Sequence, residues 1–260
     1  MIEGCRVCGG ATTAWGELEV LGKHAVRYER CARCGLVQTE PPFWLEEAYA
    51  SPIATSDLGV VSRNIYLARL VVAVLRVLFP GRGPYLDYGA GYGLLVRLLR
   101  DAGLDFFWAD RFSPNLFAQG FEAVAGARYE LVTAFELLEH LVDPVSEVAR
   151  LLDMSDSVLC TTTLLPATSP RPGEWWYYAP ETGQHVTIYT LAALRALAGR
   201  LGVHLASDGV GTHLFSRRPV APWKFRLACD HRVSYLLYLL RRRRSLLAED
   251  YGQVLGRDRG

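Results

Sequence analysis

The period of the apolar positions changes several times along the chain, and each change marks an element. Glu17-Leu18-Glu19-Val20-Leu21 alternates, Gly22-Lys23 turns and Ala25-Val26-Arg27-Tyr28 returns, the pattern of a small hairpin. Pro41-Pro42 breaks the chain, and Phe43 to Tyr49 reads as a short helical or turn segment. Residues 51–59, with Pro52, Asp57 and Gly59, read as loop. From Arg63 to Phe79 the period is helical: Ile65, Leu67, Leu70, Val71, Val74, Leu75 and Leu78 are apolar, with Arg63, Arg69 and Arg76 between them. Pro80-Gly81 stops that helix.

Beyond it, Tyr85-Leu86-Asp87-Tyr88 predicts a short strand, Gly89-Ala90-Gly91-Tyr92-Gly93 a turn, and Leu94 to Arg100 an amphipathic helix. Phe106-Phe107-Trp108-Ala109 is a second strand ending in Asp110. Further strands are expected after Asp153, at Val203 to Ala206 and at Thr212 to Ser216, with a helix starting near Thr190. Strands alternating with helices predict an α/β fold. Phe121-Glu122-Ala123-Val124 is the one candidate for a strand between Asp110 and residue 131.

Half of the 260 residues are apolar and 21% are charged, enough for a core and too apolar for a disordered chain. The net charge of +1 makes no global case for nucleic acid or membrane. No apolar run reaches the ~18–20 residues of a membrane span. Met1-Ile2-Glu3-Gly4-Cys5 lacks the basic and apolar regions of a signal peptide. A cytoplasmic protein is expected, and in that compartment paired cysteines favour a metal over disulfides.

Four of the six cysteines form two pairs, Cys5-x2-Cys8 and Cys31-x2-Cys34, with 22 residues between. Two such turns close a tetrahedron around Zn²⁺, so Cys5, Cys8, Cys31 and Cys34 are the expected ligands of a structural zinc ribbon. His24 falls at the hairpin tip, and Cys160 and Cys229 are isolated packing residues. The ribbon, with five basic and five acidic residues through Glu40, is not a nucleic-acid binder by charge.

The glycine turn is the main chemical signal. Glycines let the backbone approach a ligand, and a helix N-terminus follows. Asp110, 19 residues past Gly91, stands where a carboxylate meets a ribose hydroxyl. Dinucleotide sites use G-x-G-x-x-G. Here the spacing is G-x-G-x-G, with Asp87 two residues ahead, and a carboxylate there repels a pyrophosphate but suits a cationic ligand. The plainer alternative for Asp87 is a turn-capping carboxylate.

Leu86-Asp87-Tyr88-Gly89-Ala90-Gly91-Tyr92-Gly93 resembles motif I of class I S-adenosylmethionine-dependent methyltransferases. So do Asp110, the stretch Phe135-Glu136-Leu137-Leu138-Glu139-His140-Leu141-Val142-Asp143-Pro144, and the segment from Trp175 to Tyr189. The resemblance implies a doubly wound Rossmann-like sheet over 81–216, a zinc ribbon over 1–40, a helical connector over 41–80 and a basic helical tail over 217–260. It implies that Asp87, Gly89, Ala90, Gly91, Gly93, Asp110, Phe135 and Glu136 bind S-adenosyl-L-methionine. The matching segment of zinc-containing sugar C-methyltransferases carries Tyr-x-Glu-His, and here Thr182, Gln184 and His185 stand at those positions. The histidine is kept; the Tyr and Glu are not.

His185 is therefore the expected base, with Glu139 and His140 as further catalytic candidates; a cap role competes for that pair, and a loop-holding hydrogen bond for His185. Gln184, Thr187 and Tyr189 are hydrogen-bonding types suited to a hydroxylated acceptor. Trp175-Trp176-Tyr177-Tyr178, in a proline-rich loop, either stacks on the acceptor or anchors the loop. The tail, nine Lys or Arg against four Asp or Glu over 222–260, suits an anionic membrane surface or a packed helix with a solvated end. Methyl transfer to a sugar or sugar nucleotide is the expected function. A zinc-ribbon recruitment module with a non-catalytic Rossmann-like domain is the alternative, and a nicotinamide oxidoreductase is disfavoured by the glycine spacing.

Overall fold

The computed structural model of the chain describes residues 4–50, 58–79, 81, 83–241 and 243–256. The N-terminal Met1 to Glu3, the loop expected at 51–57, the helix breaker Pro80, Arg242 and the last four residues lie outside the described residues.

The N-terminal hairpin forms as the alternation predicts, from β1 (Thr12–Val20) and β2 (His24–Cys31) in antiparallel register. β3 (Val37–Thr39) pairs with β2, and the short α1 (Leu45–Ala48) follows. α2 (Val60–Leu78) is the long connector helix and leads to β4 (Tyr85–Tyr88), α3 (Leu94–Asp101) and β5 (Phe106–Ala109). Then come β6 (Leu131–Ala134), α4 (Pro144–Met154), β7 (Ser157–Thr161), β8 (Thr187–Ile188), α5 (Leu191–Leu201), β9 (His204–Ser207) and β10 (Thr212–Ser216). The tail folds as α6 (Pro222–Cys229), α7 (His231–Leu239) and α8 (Leu247–Val254).

Six strands make the central sheet in the order β5-β4-β6-β7-β10-β9. The first four are parallel, and β10 and β9 return antiparallel. The pleat sends successive side chains to opposite faces. Tyr85, Phe106, Leu131, Leu159 and Leu214 pack with α2, α3 and α6, while Leu86, Val132, Val158 and Phe215 pack with α4 and α5. The strands are buried on both faces, which is why their sequences run almost wholly apolar.

The expected strand at Phe121 to Val124 is reduced to one bridge. Trp108 N–H donates to the Phe121 carbonyl at 2.7 Å, Ala123 N–H donates to the Trp108 carbonyl at 2.8 Å, and Glu122 pairs with Trp108 in parallel. No helix forms among residues 111–120, so this crossover is long enough for a β–α–β unit but lacks its helix.

Two features differ from the sequence expectation. The N-terminal sheet has the order β1-β2-β3-β8, so its fourth strand comes from residues 187–188, inside the stretch assigned to the cofactor-binding region. The tail is not one basic helix. Asp230 caps α7, accepting from the N–H groups of Arg232 and Val233, and α7 ends before the arginine run. The Arg76 guanidinium donates to the carbonyls of Leu237 and Leu240, satisfying that C-terminus with a cation. Four adjacent like charges would also repel along a helix. Arg243 donates to the Gly81 carbonyl at 3.0 Å, and α8 runs through Val254. No helix among the described residues is long and apolar enough to cross a membrane.

α8 is held by a buried ion pair. Asp250 accepts two hydrogen bonds from Arg100, at 2.9 and 2.6 Å, and its side chain is 5% exposed. Arg100 also pairs with Asp105 at 2.6 Å and lies over the Phe121 ring at 3.7 Å. Removing one partner of a buried pair costs about 3–5 kcal/mol, and Asp105 still compensates Arg100 in part. Asp250→Asn is therefore expected to destabilise the protein by about 3 kcal/mol in urea denaturation. An unchanged midpoint with an unchanged slope would show that the tail does not support the sheet.

Candidate functional site

The carboxyl ends of β4, β5 and β6 open on one cleft of about 1560 Å³. Single-ligand pockets run to roughly 300–1,000 Å³, so this one has room for two ligands side by side. Of the eight residues expected to bind cofactor, Asp87, Gly89, Ala90, Gly91, Gly93 and Asp110 stand at the first strand ends, and Phe135 and Glu136 after β6. All but Gly93 line the cavity directly, and Gly93 caps the helix beneath it.

The glycine turn needs its glycines. Gly91 has φ 53° with open space where a side chain would stand, so a ligand can come close to its backbone, whose N–H and carbonyl are held by Asp110 and Trp108. Gly93 begins α3 at φ 86°, and a Cβ there would come within 3.0 Å of Asn115 Oδ1. Asp110 holds the loop as well as facing the cleft. It accepts from Gly91 N–H at 2.9 Å and from Phe112 and Ser113 N–H at 2.7 Å each. Three hydrogen bonds leave about one lone-pair site of this carboxylate for a ligand.

Asp87 is 3% exposed, and Thr133 donates to its Oδ1 at 2.6 Å. Burial, aided by the nearby Asp110 charge, pushes the carboxyl up to about 7 even though Thr133 opposes it. A carboxylate so placed is poised to gain a cationic partner. Glu136 follows with φ 49°, a left-handed conformation uncommon outside glycine. Thr161 fixes it: its hydroxyl accepts from Glu136 N–H at 3.0 Å and donates to the carboxylate at 2.7 Å.

The other end of the cleft gathers the three catalytic candidates. Residues 138–140 form a 3-10 turn after β6. Glu139 is fully buried, and Tyr177 O–H donates to its Oε1 at 2.6 Å. Burial, with the Glu136 charge second, pushes Glu139 up to about 8. His140 Nδ1 is 3.0 Å from the Tyr49 hydroxyl, and burial pushes this imidazole down to about 3. His185 Nδ1 lies 2.6 Å from the Tyr177 carbonyl, which fixes the proton on Nδ1 and leaves Nε2 as the acceptor. Burial lowers His185 as well. The two imidazoles meet edge to face at 5.0 Å.

Three polar residues expected to face the acceptor have their side chains engaged within the protein, although Gln184 also lines the cleft. Gln184 donates to the Ala48 carbonyl at 2.9 Å, Thr187 to Leu141 at 2.8 Å and Tyr189 to Leu138 at 3.0 Å. The reason is that residues 184–189 run as buried backbone between two sheets, where every donor needs an internal partner. The aromatic cluster divides: Tyr177 and Tyr178 are buried anchors, while Trp176 is 74% exposed on the cleft rim. Sequence reasoning missed Tyr49 and Thr133. Neither sits in a motif; Thr133 had one available signal, a hydroxyl in an otherwise apolar parallel strand.

The four cysteines form a second cluster away from the cleft. The Sγ atoms of Cys5 and Cys34 are 3.6 Å apart, and those of Cys8 are 3.5 Å from both Cys31 and Cys34. A tetrahedral zinc with bonds of about 2.3 Å separates its sulfurs by about 3.8 Å, so the four fit that ion. His24 takes no part; its Nε2 is 3.1 Å from Glu47.

A family model described as methyltransferase domain matches residues 63–207. No curated protein matches the chain. Among solved structures, a magnesium protoporphyrin IX methyltransferase from Synechocystis is 15% identical, covering 67% of this chain and 94% of its own, with a TM-score of 0.40. A plantazolicin methyltransferase is 11% identical, covering 67% and 93%, at 0.47. An O-methyltransferase family protein from Burkholderia thailandensis is 15% identical, covering 68% and 63%, at 0.46.

The raised Asp87 has a sign that can be checked. Below about pH 4 its carboxyl is protonated whether the chain is folded or not. Between there and about 7 only the unfolded chain loses the proton, so this group's contribution to stability falls as pH rises. Asp87→Asn should flatten that slope in urea denaturation run at pH 4.5 and 7. Identical slopes in both proteins would show that the carboxyl is not raised.

Proposed function

We propose, for a chain that belongs to the methyltransferase-domain family and is a class I S-adenosylmethionine-dependent enzyme, that the cleft transfers a methyl group to a small hydroxylated acceptor, a sugar or sugar nucleotide. The observation that carries this reading is the shared cleft. Its walls carry the glycine turn with Asp87 and Asp110 together with His140 and His185, with Glu139 buried beside the two histidines. When bound, S-adenosylmethionine supplies an electrophilic methyl on a sulfonium.

In this reading the chain's residues divide the work by position. Asp87, already raised, ionises beside the ligand's cationic end, and the Gly89–Gly91 backbone lies against it. The last lone-pair site of Asp110 receives a ribose hydroxyl. Phe135 and Glu136 bound the middle of the cleft. His185 is neutral at pH 7 and holds its Nδ1–H on Tyr177, so its Nε2 takes the acceptor's proton. Trp176, exposed on the rim, offers a flat face to a sugar ring.

We assign the cysteine cluster to one structural Zn²⁺ held by Cys5, Cys8, Cys31 and Cys34, supported by the sulfur spacing. It stabilises the N-terminal sheet that carries β8 and performs no step of the transfer.

Two experiments test this. S-adenosylhomocysteine should bind in calorimetry, more weakly as pH falls below about 7, because Asp87 must then give up a proton. His185→Ala should keep that binding and lower turnover by ~10²–10⁴ in an acceptor screen with labelled cofactor read by mass spectrometry. Binding of NAD without S-adenosylhomocysteine would overturn the reading. Separately, elemental analysis should find zinc in the purified protein and less of it in Cys31→Ser; equal content in both would remove the assignment.

A further inference from the structure

Among the described residues, two groups of metal-ligating side chains bring their ligand atoms within 4.8 Å of one another. One is the cysteine cluster. The other is Glu139, His140 and His185; the two histidines line the cleft and Glu139 is fully buried beside them. We propose that this second group is a binding site for a divalent first-row transition cation, and that the cation holds the acceptor's hydroxyl. The catalytic part of the inference rests on the methyl-transfer reading; the site itself does not.

The first observation is an orphaned oxygen. Glu139 is fully buried and its Oε1 is satisfied by Tyr177, but its Oε2 has no hydrogen-bond partner among the described residues. Buried polar atoms in folded proteins are almost always paired, and a bound ion is one of the few physical reasons for an exception. The sequence puts this carboxylate there at a cost that ordinary packing would avoid, since leucine at the position would need no partner.

The second observation is the orientation of the two imidazoles. A metal-ligating histidine is held by a hydrogen bond to its other nitrogen. His185 is held in that way by the Tyr177 carbonyl at 2.6 Å, and His140 by the Tyr49 hydroxyl at 3.0 Å, both through Nδ1. The ring edge left open on each is Nε2, and both rings face the cleft. Tyr177 serves the group twice, its hydroxyl on Glu139 and its carbonyl on His185.

The third is the donor set. Two imidazoles and one carboxylate suit Mn²⁺, Fe²⁺, Co²⁺ or Zn²⁺ better than Ca²⁺, which takes oxygen alone. Ligand atoms around such an ion, with bonds of about 2.1 Å, stand about 3.0–3.4 Å apart. The three side chains lie within about an ångström or two of that arrangement. Three protein ligands leave coordination positions open, as catalytic sites do.

An acceptor hydroxyl in an open position becomes more acidic. Its proton leaves to solvent through the cleft mouth, and His185 then acts as ligand and not as base. The oxygen's electron pair forms the O–CH₃ bond. The CH₃–S bond breaks with its pair passing to sulfur, which loses its positive charge. No further reactant is needed.

The test uses the full chain with its cysteine site loaded with zinc. Mn²⁺ is titrated in and the free ion followed by electron paramagnetic resonance, with S-adenosylhomocysteine affinity measured on the same samples. One Mn²⁺ per chain is expected. Glu139→Gln, which keeps the bond to Tyr177, should abolish it, and Tyr49→Phe should weaken it by about 10–100-fold, as loss of a ligand's hydrogen-bond partner does. Both variants should still bind S-adenosylhomocysteine, which shows that they fold. A wild-type chain that binds S-adenosylhomocysteine but neither Mn²⁺ nor, by calorimetry, Co²⁺ overturns the metal site and leaves methyl transfer standing. Mn²⁺ bound equally by wild type and Glu139→Gln also overturns it. A chain that holds Mn²⁺ in this Glu139-dependent way but no S-adenosylhomocysteine supports the site and overturns the methyl-transfer reading.

Discussion

The Tyr177 side chain meets Glu139 where neither can reach bulk water, and much of the acceptor end of the cleft is arranged around that hydrogen bond. Its hydroxyl donates to Glu139 at 2.6 Å, accepts from Thr163 N–H at 2.9 Å and lies 3.2 Å from Thr162. Its carbonyl holds His185. One residue thus joins the end of β7, the turn after β6 and the loop that returns to β8. The loop from Leu164 to Val186 has little regular structure of its own, and without such an anchor its backbone would be costly to order. The Val186 N–H bond to the Glu139 carbonyl at 2.9 Å closes the same contact from the backbone side.

The two ends of the cleft use burial in opposite ways. At the glycine turn, burial raises one carboxyl, Asp87, so that a cationic ligand does the work of ionising it. At the acceptor end, burial keeps Glu139 protonated and both imidazoles neutral, so the group carries no net charge when nothing is bound. Low dielectric makes each of these groups sensitive to a charged partner. Asp87 and the Glu139 group therefore respond to what enters the cleft.

Much of this was legible in the sequence because it is local. The strand–glycine–helix unit at 85–100 declares itself by period and by φ-demanding glycines, and the doubly wound sheet follows from repeating that alternation. The cysteine pairs declare themselves by spacing. His185 and Glu139 were visible as residues, but their meeting through Tyr177 was not, because it joins positions 38 apart through a loop without periodicity. Thr187 and Tyr189 misled for the same reason: polar type says that a partner is needed, not that the partner is a ligand; Gln184 lines the cleft with its amide held by the Ala48 carbonyl. Tyr49 sits in a connector with no motif, and only the folded chain brings it to His140. The single-bridge remnant at Glu122 shows the converse case, a weak apolar pattern that produced a correspondingly weak strand.

The pairing of β3 with β8 has a bearing on how such a chain can be recombined. Residues 37–38 hold residues 187–188 in register, and Arg6 ties the same place from the other side, donating to the carbonyls of Val186 and Thr39 at 2.8 Å each. The N-terminal segment is thus part of the wall on which His185 stands, though more than a hundred residues separate them. A chimera joined at a linker, with the first forty residues exchanged for those of another protein, would inherit a mismatched seam next to the acceptor. The transferable cassette is discontinuous. It comprises the cysteine-bearing strands together with the stretch from Trp175 to Tyr189, and a change of acceptor preference by grafting would have to move both pieces at once.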